Sequence, residues 1–143
     1  MKRVIKFRGK RLDNGEWVYG HYADYIHRDC GIPSPSIIYP LPDCGNMIIA
    51  IDPSTLGQFT GLHDRIGKEI YEGDIIEYCS RVDSFGAVWQ TVRVEFRVNE
   101  GGYVCVNQYR KTRDAREIVR NIVHCFNKCI VVGNIHEKKG GEQ

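Results

Sequence analysis

The tripeptide Asp13-Asn14-Gly15 stands between two arms, residues 3–12 and 16–25. Asn-Gly adopts left-handed backbone angles at little cost, and its turn matches the right-handed twist of paired strands, so the chain opens with a β-hairpin. Glycine then punctuates the rest of the chain. It supplies 15 of 143 residues, against an average nearer 7%, and several sit where tight turns between strands need positive φ. Gly57, Gly61, Gly67 and Gly73 recur too closely for any long helix between them.

A second hairpin is written in residues 92–98, where Val92, Val94, Phe96 and Val98 alternate with Arg93, Glu95 and Arg97. Asn99-Glu100-Gly101-Gly102 turns it, and residues 103–106 return. Residues 47–51 read as a short buried strand. Asp52 then caps a single helical turn with Pro53 at its first position. Ile70-Tyr71 and residues 75–78 read as short strands around Glu72-Gly73-Asp74, and residues 129–135 as a last strand. Pro33, Pro35, Pro40 and Pro42 make residues 30–46 an irregular surface loop. Residues 115–126 read as the one helix. Asp114 stands as its cap, Glu117 in capping-box position, and Ala115, Ile118, Val119, Ile122, Val123 and Phe126 at helical spacing. The expectation is one mainly β domain over residues 1–143, a small strongly bent sheet or partly open barrel with an amphipathic helix near the C-terminus, with α+β as the alternative.

Composition narrows the function classes. Hydrophobic residues are 42% and charged residues 27%, a globular balance. The longest apolar run, residues 47–51, is far short of the roughly twenty residues of a membrane helix, and the basic N-terminus never reaches a secretory apolar stretch. A cytoplasmic protein without membrane contact is expected. Cys30, Cys44, Cys79, Cys105, Cys125 and Cys129 are then read as reduced thiols, mostly filling core gaps. Net charge is only +2, yet residues 1–11 hold six basic side chains and no acid, leaving 14 basic against 18 acidic elsewhere.

The chemical motifs are poor. Gly61 and Gly67-Lys68 have five residues between the glycines, where a phosphate-binding loop has four, and Glu69 follows in place of Ser or Thr. Residues 64–68 read as a reverse turn. His27 with Cys30, and Cys125 with Cys129, offer four soft ligands, but in unlike contexts and without a C-x-x-C pair, so no metal is expected. Five histidines and several serines lack any nucleophile frame. Asp74, after Gly73, is read as turn geometry with a side-chain to backbone hydrogen bond. No catalytic residue and no cofactor is expected.

The first hairpin carries the remaining signal, and two registers are open. A two-residue loop sets Leu12 by Trp17, Lys10 by Tyr19 and Arg8 by His21, making one face basic and aromatic, with Ile5, Phe7, Val18 and Tyr22 on the other. Rings and cations so interleaved suit single-stranded nucleic acid, and Lys6, Arg8, Lys10, Trp17 and Tyr19 form the candidate binding surface. A three-residue loop with Gly15 as a bulge slips the register by one and sends Trp17 and Tyr19 to join Phe7 and Ile5. Burial of two large rings favours the slipped register.

Three stretches together resemble the YopX family of small bacteriophage and prophage proteins. They are Phe7-Arg8-Gly9-Lys10 with Asn14-Gly15-Glu16-Trp17-Val18-Tyr19-Gly20, then Gln58-Phe59-Thr60-Gly61-Leu62 running into Gly67-Lys68-Glu69-Ile70-Tyr71-Glu72-Gly73-Asp74-Ile75, then Val132-Gly133-Asn134-Ile135. His136 departs from the aromatic residue such proteins tend to carry there. The resemblance implies a phage-derived protein of a bacterial cytoplasm and a homo-oligomer; it implies no reaction. The expected function is a non-catalytic protein-binding or assembly module, with a partner from phage or host. The alternative is a nucleic-acid-binding small barrel using the basic hairpin.

Overall fold

The structure, a computed structural model, describes residues 4–26, 33–43, 45–111, 117–121 and 128–137, with side chains over 4–24, 35–43, 45–107 and 128–137. The chain is mainly β, all of its registered pairings are antiparallel, and it packs as two compact units, Met1–Phe59 and Thr60–Gln143.

In the first unit β1 (Phe7–Lys10), β2 (Trp17–Ile26), β3 (Pro33–Leu41) and β4 (Gly45–Ala50) form a meander in which each strand pairs with the next. The chain leaving β4 then turns back beside β1: Arg11 bridges Ile51, and Asp52 N–H donates to the Lys10 carbonyl at 2.8 Å. The first residues of β5 (Gly57–His63) continue along β1, with Phe7 opposite Gln58 and Arg8 opposite Gly57. No barrel closes. Asp52 caps a 3-10 turn, Pro53–Thr55, as the Asp-Pro pair requires, accepting from Ser54 N at 3.0 Å. Ile37 and Ile51 are fully buried. Gly9 and Gly20 are needed for close approach: a Cβ on Gly9 would strike the Ile51 side chain, and one on Gly20 the carbonyl oxygen of Ile38.

The proline-rich segment is a correction. Its centre is strand β3, not a loop, and the prolines sit where the ladder tolerates them. Pro33 pairs only with β2 and Pro40 only with β4, while Pro35 pairs with Asp24 of β2 and its carbonyl accepts the Ile51 N–H at 3.1 Å just past β4, so each proline stands toward an end of the ladder. Between them Ser36-Ile37-Ile38-Tyr39 supplies β-branched and aromatic residues that favour the pleated surface. Residues 30–32 and Cys44 lie outside the described residues.

The second unit contains β6 (Glu69–Tyr71), β7 (Asp74–Asp83), β8 (Gly86–Arg97), β9 (Gly102–Lys111), β10 (Glu117–Asn121) and β11 (Cys129–Asn134), five of them in the order β10-β9-β8-β7-β11. Ile70, Ile76, Tyr78, Val92, Val94, Cys105 and Cys129 form its core, backed by Leu62, Tyr103 and Val131. The period-two reading holds from Val92 to Arg97, with Val92 and Val94 buried, but Val98 opens a 3-10 turn, Val98–Glu100, and is exposed; Gly101 closes that turn at φ 74°. The core role of Cys105 and Cys129, both buried free thiols, is borne out.

The expected helix is overturned at its centre. Residues 117–121 are strand β10, with Val119 opposite Val106 of β9. Adjacent β-branched Ile118 and Val119 suit a strand, and the β9 edge supplies the backbone partners; two apolar residues in five are too few for periodicity to choose between helix and strand. The remaining stripe positions and Asp114 lie outside the described residues, which hold no α-helix.

The turn at residues 64–68 is held by one side chain. Asp64 Oδ1 accepts Ile66 N at 3.0 Å and Lys68 N at 2.8 Å, while Oδ2 accepts Val131 N of β11 at 3.1 Å. Arg65 N–H also donates to the Cys129 carbonyl at 2.9 Å. The turn therefore occupies backbone groups along the outer edge of β11 that would otherwise be open to another strand.

Candidate functional site

The first hairpin adopts neither expected register. Lys10 pairs with Trp17 and Arg8 with Tyr19, and Arg11 N–H donates to the Glu16 carbonyl at 2.9 Å, enclosing a four-residue loop at residues 12–15. The loop's own side chains support the extra length. Arg11 grips Asp13 through two hydrogen bonds of 2.8 and 2.7 Å, Asn14 Oδ1 accepts Glu16 N at 2.9 Å, and Gly15 takes φ 72°. The Arg11 contact, opposed by burial, leaves the Asp13 carboxyl below its ordinary value.

Relative to the two-residue loop the pairing moves by two residues, so every side chain keeps its face. The slipped register is overturned: Trp17 and Tyr19 lie with Lys6, Arg8 and Lys10, and Phe7 packs toward Tyr22 on the other face, ring centroids 5.7 Å apart.

This basic face has a defined geometry. Arg8 Cζ lies 4.5 Å and Lys10 Nζ 5.3 Å from the Trp17 ring centroid, and Lys6 Nζ lies 5.6 Å from that of Phe59. Such contacts stabilise by about 0.5–2 kcal/mol each, depending on desolvation. Arg8 is only 6% exposed and orients Trp17 from below, whereas Tyr19 is 42% exposed and presents its ring to solvent. On the described positions of β1 to β4 that share this face by register, no Asp or Glu occurs. Phe59 is the member that the hairpin pattern did not reveal, because its place beside Lys6 depends on pairing across more than fifty residues.

A second surface went unread in the sequence. β7 and β8 extend into a long arm whose turn is Ser84-Phe85, closed by Asp83 opposite Gly86. Phe85 at the tip is 98% exposed. Along one face below it stand Val82 opposite Ala87 and Cys79 opposite Trp89, the latter 54% exposed. Farther down, Glu77, Trp89, Ile130 and Val132 line an open groove. The available signal was an aromatic residue inside a polar turn, Asp83-Ser84-Phe85-Gly86, where solubility alone selects none.

Two buried carboxylates of the second unit, Asp64 and Asp74, serve its fold. Asp74, 1% exposed, accepts Tyr71 N at 2.8 Å, as read from Gly73-Asp74. Burial opposes ionisation of Asp64, but the Val131, Lys68 and Ile66 amides, helped by the Lys68 charge, hold its carboxyl below the ordinary range. Glu72 is shifted upward, by burial first and by Glu95 second. Among the described residues no group of three His, Cys, Asp or Glu side chains converges as a metal site. His27, Cys30 and Cys125 lie outside them, and Cys129 is in the core. No helix of the described residues is long and apolar enough to cross a membrane.

Comparison with known proteins gives a match of residues 6–139 to a family described as YopX protein. Comparison with curated proteins finds no match. Among solved structures, the crystal structure of protein EF1440 from Enterococcus faecalis is similar, with a TM-score of 0.49 and 18% identity, covering 94% of this chain and 95% of that one.

Proposed function

The chain belongs to the YopX family, and we propose that it acts as a non-catalytic, phage-derived assembly module that joins copies of itself through the β7–β8 arm. The carrying observation is Phe85, a ring 98% exposed at the tip of the hairpin, together with the open groove that Trp89 of the hairpin forms with Ile130 and Val132 of β11, bordered by Glu77. Exposed apolar surface of this extent marks protein contact rather than catalysis.

One chain holds both plug and socket but cannot join them within itself. Phe85 lies four residues beyond Trp89 on an extended arm, about 13 Å along the strand. A second copy can seat its tip in the groove, and a two-fold axis lets both tips be exchanged, so the contact closes at two subunits. Exchange buries two Phe rings, about 4–6 kcal/mol before the cost of association, so burial of the exposed Val82 and Trp89 must add to the tips, and the result is a weak, concentration-dependent dimer. The buried carboxylates Asp64 and Asp74 support a non-catalytic role, since both hold backbone amides.

Sedimentation velocity across micromolar concentrations tests this. The wild-type chain should shift from monomer to dimer, and Phe85→Glu should remain monomeric with an unchanged circular dichroism spectrum. A wild-type chain that stays monomeric throughout, or a Phe85→Glu variant that dimerises equally well, would overturn the proposal.

A further inference from the structure

We infer that the β1–β2 face of the first unit binds single-stranded nucleic acid, with phosphates along Lys6 and Lys10 and a base stacked on Tyr19. This stands independently of the β7–β8 arm, because every residue it uses lies in Met1–Phe59.

Three observations carry it. The first is charge segregation. Lys6, Arg8 and Lys10 occupy alternate positions along β1 and the residue before it, and no carboxylate shares their face on the described positions of β1 to β4.

The second is spacing. Alternate residues of a strand are about 6.7 Å apart, which is close to the repeat of an extended sugar-phosphate backbone. A duplex presents its phosphates along a curved groove, which a short straight row on one strand follows poorly. A row of cations alone would serve any polyanion, so the choice rests on the rings.

The third is their placement. Trp17 and Tyr19 flank the cationic row on the β2 side, and Phe59 flanks it on the β5 side, with Lys6 over that ring. Tyr19, 42% exposed, offers its face to a base, whereas Phe59 is buried and only borders the row; a base stacks on such an open ring whatever its sequence, and a stack lost to alanine weakens binding by roughly 5- to 150-fold, from about 1–3 kcal/mol. Arg8, buried against Trp17, is a positioning residue: it fixes the ring beside Lys10 and leaves phosphate contact to the two lysines.

The test is fluorescence anisotropy of the full chain with a labelled oligothymidylate about ten nucleotides long. With two phosphate contacts, affinity should fall about sevenfold between 50 and 200 mM salt. Lys6→Glu and Tyr19→Ala should each weaken binding at least about fivefold, the latter without changing the salt slope. Arg81→Glu, an exposed cation on the other unit, should leave it unchanged. Circular dichroism confirms that each variant is folded. Absence of binding at low salt, equal binding of a duplex of the same length, or equal weakening by Arg81→Glu would overturn the inference.

Discussion

The Asp64 carboxylate accepts the backbone amide of Val131, 67 residues later in the chain, at 3.1 Å. One short acid thereby ties the turn at residues 64–68 to the edge strand β11, with the same side chain closing the turn through Ile66 and Lys68. Removing it leaves three amides to find other partners. Asp64→Ala should cost about 2–4 kcal/mol in denaturant unfolding. The wild-type chain should also lose stability in acid. A carboxyl held below its unfolded value contributes fully above about pH 4, and that contribution fades as pH falls through the folded value. Unfolding curves of wild type and Asp64→Asn should therefore converge as pH drops below about 4.

Glu72 should behave in the opposite sense. Burial, then the charge of Glu95, raises its carboxyl above the ordinary range, so the folded chain takes up a proton before the unfolded chain does. The ionised form penalises folding at neutral pH, and the penalty is relieved as pH falls toward about 4.3. Glu72→Gln should raise the thermal midpoint at pH 7, and the advantage should shrink progressively on acidification. A variant less stable than wild type at pH 7 would show that Glu72 is held by contacts outweighing its burial.

Gly9 and Gly20 separate two kinds of close approach. An added methyl at Gly9 meets the Ile51 side chain, whose Cδ1 end can rotate away, although Cβ stands 3.1 Å off. At Gly20 the obstacle is the Ile38 carbonyl oxygen, which cannot move without disturbing the β2–β3 ladder. Gly20→Ala should destabilise by about 3 kcal/mol or more and Gly9→Ala by less, about 1–2 kcal/mol. Thermal denaturation of the two single variants checks the order.

These particulars show what local pattern could and could not convey. The alternation from Val92 to Arg97 and the Asp52-Pro53 cap were legible because each depends on neighbours in sequence. The faces of the first hairpin were only half legible: the two-residue loop differs from the observed four-residue loop by an even step and keeps cations and rings together, but ring burial favoured the slipped register, which separates them, because it left out the cover that Arg8 and Lys10 give Trp17. The choice of loop was not legible, because Arg11 and Asp13 stabilise a longer turn than Asn-Gly alone demands. Pro33 and Pro35 read as breakers because only the sheet reveals which side of a strand needs no N–H. Ile118 and Val119 fit helix and strand alike until β9 is in place beside them. The exposed arm at Phe85 was missed entirely, since exposure belongs to the folded chain.

Trp17 now decides between support and recognition. Half-buried on the sheet face, with Arg8 Cζ at 4.5 Å and Lys10 Nζ at 5.3 Å, it belongs to the basic face and not to the core around Ile37 and Ile51. Trp17→Ala should consequently leave a cooperatively folded chain, weakened by about 1–3 kcal/mol from lost ring burial and two cation contacts. Arg8→Ala should cost a comparable amount, because a buried guanidinium stem packs as well as attracts. The two losses should not add. If Arg8 acts mainly through the ring, the double variant should be more stable than the sum of singles implies by about 1 kcal/mol. Additive losses in a double-mutant cycle would mean that Arg8 and Trp17 are held separately, and that the arginine does not position the ring.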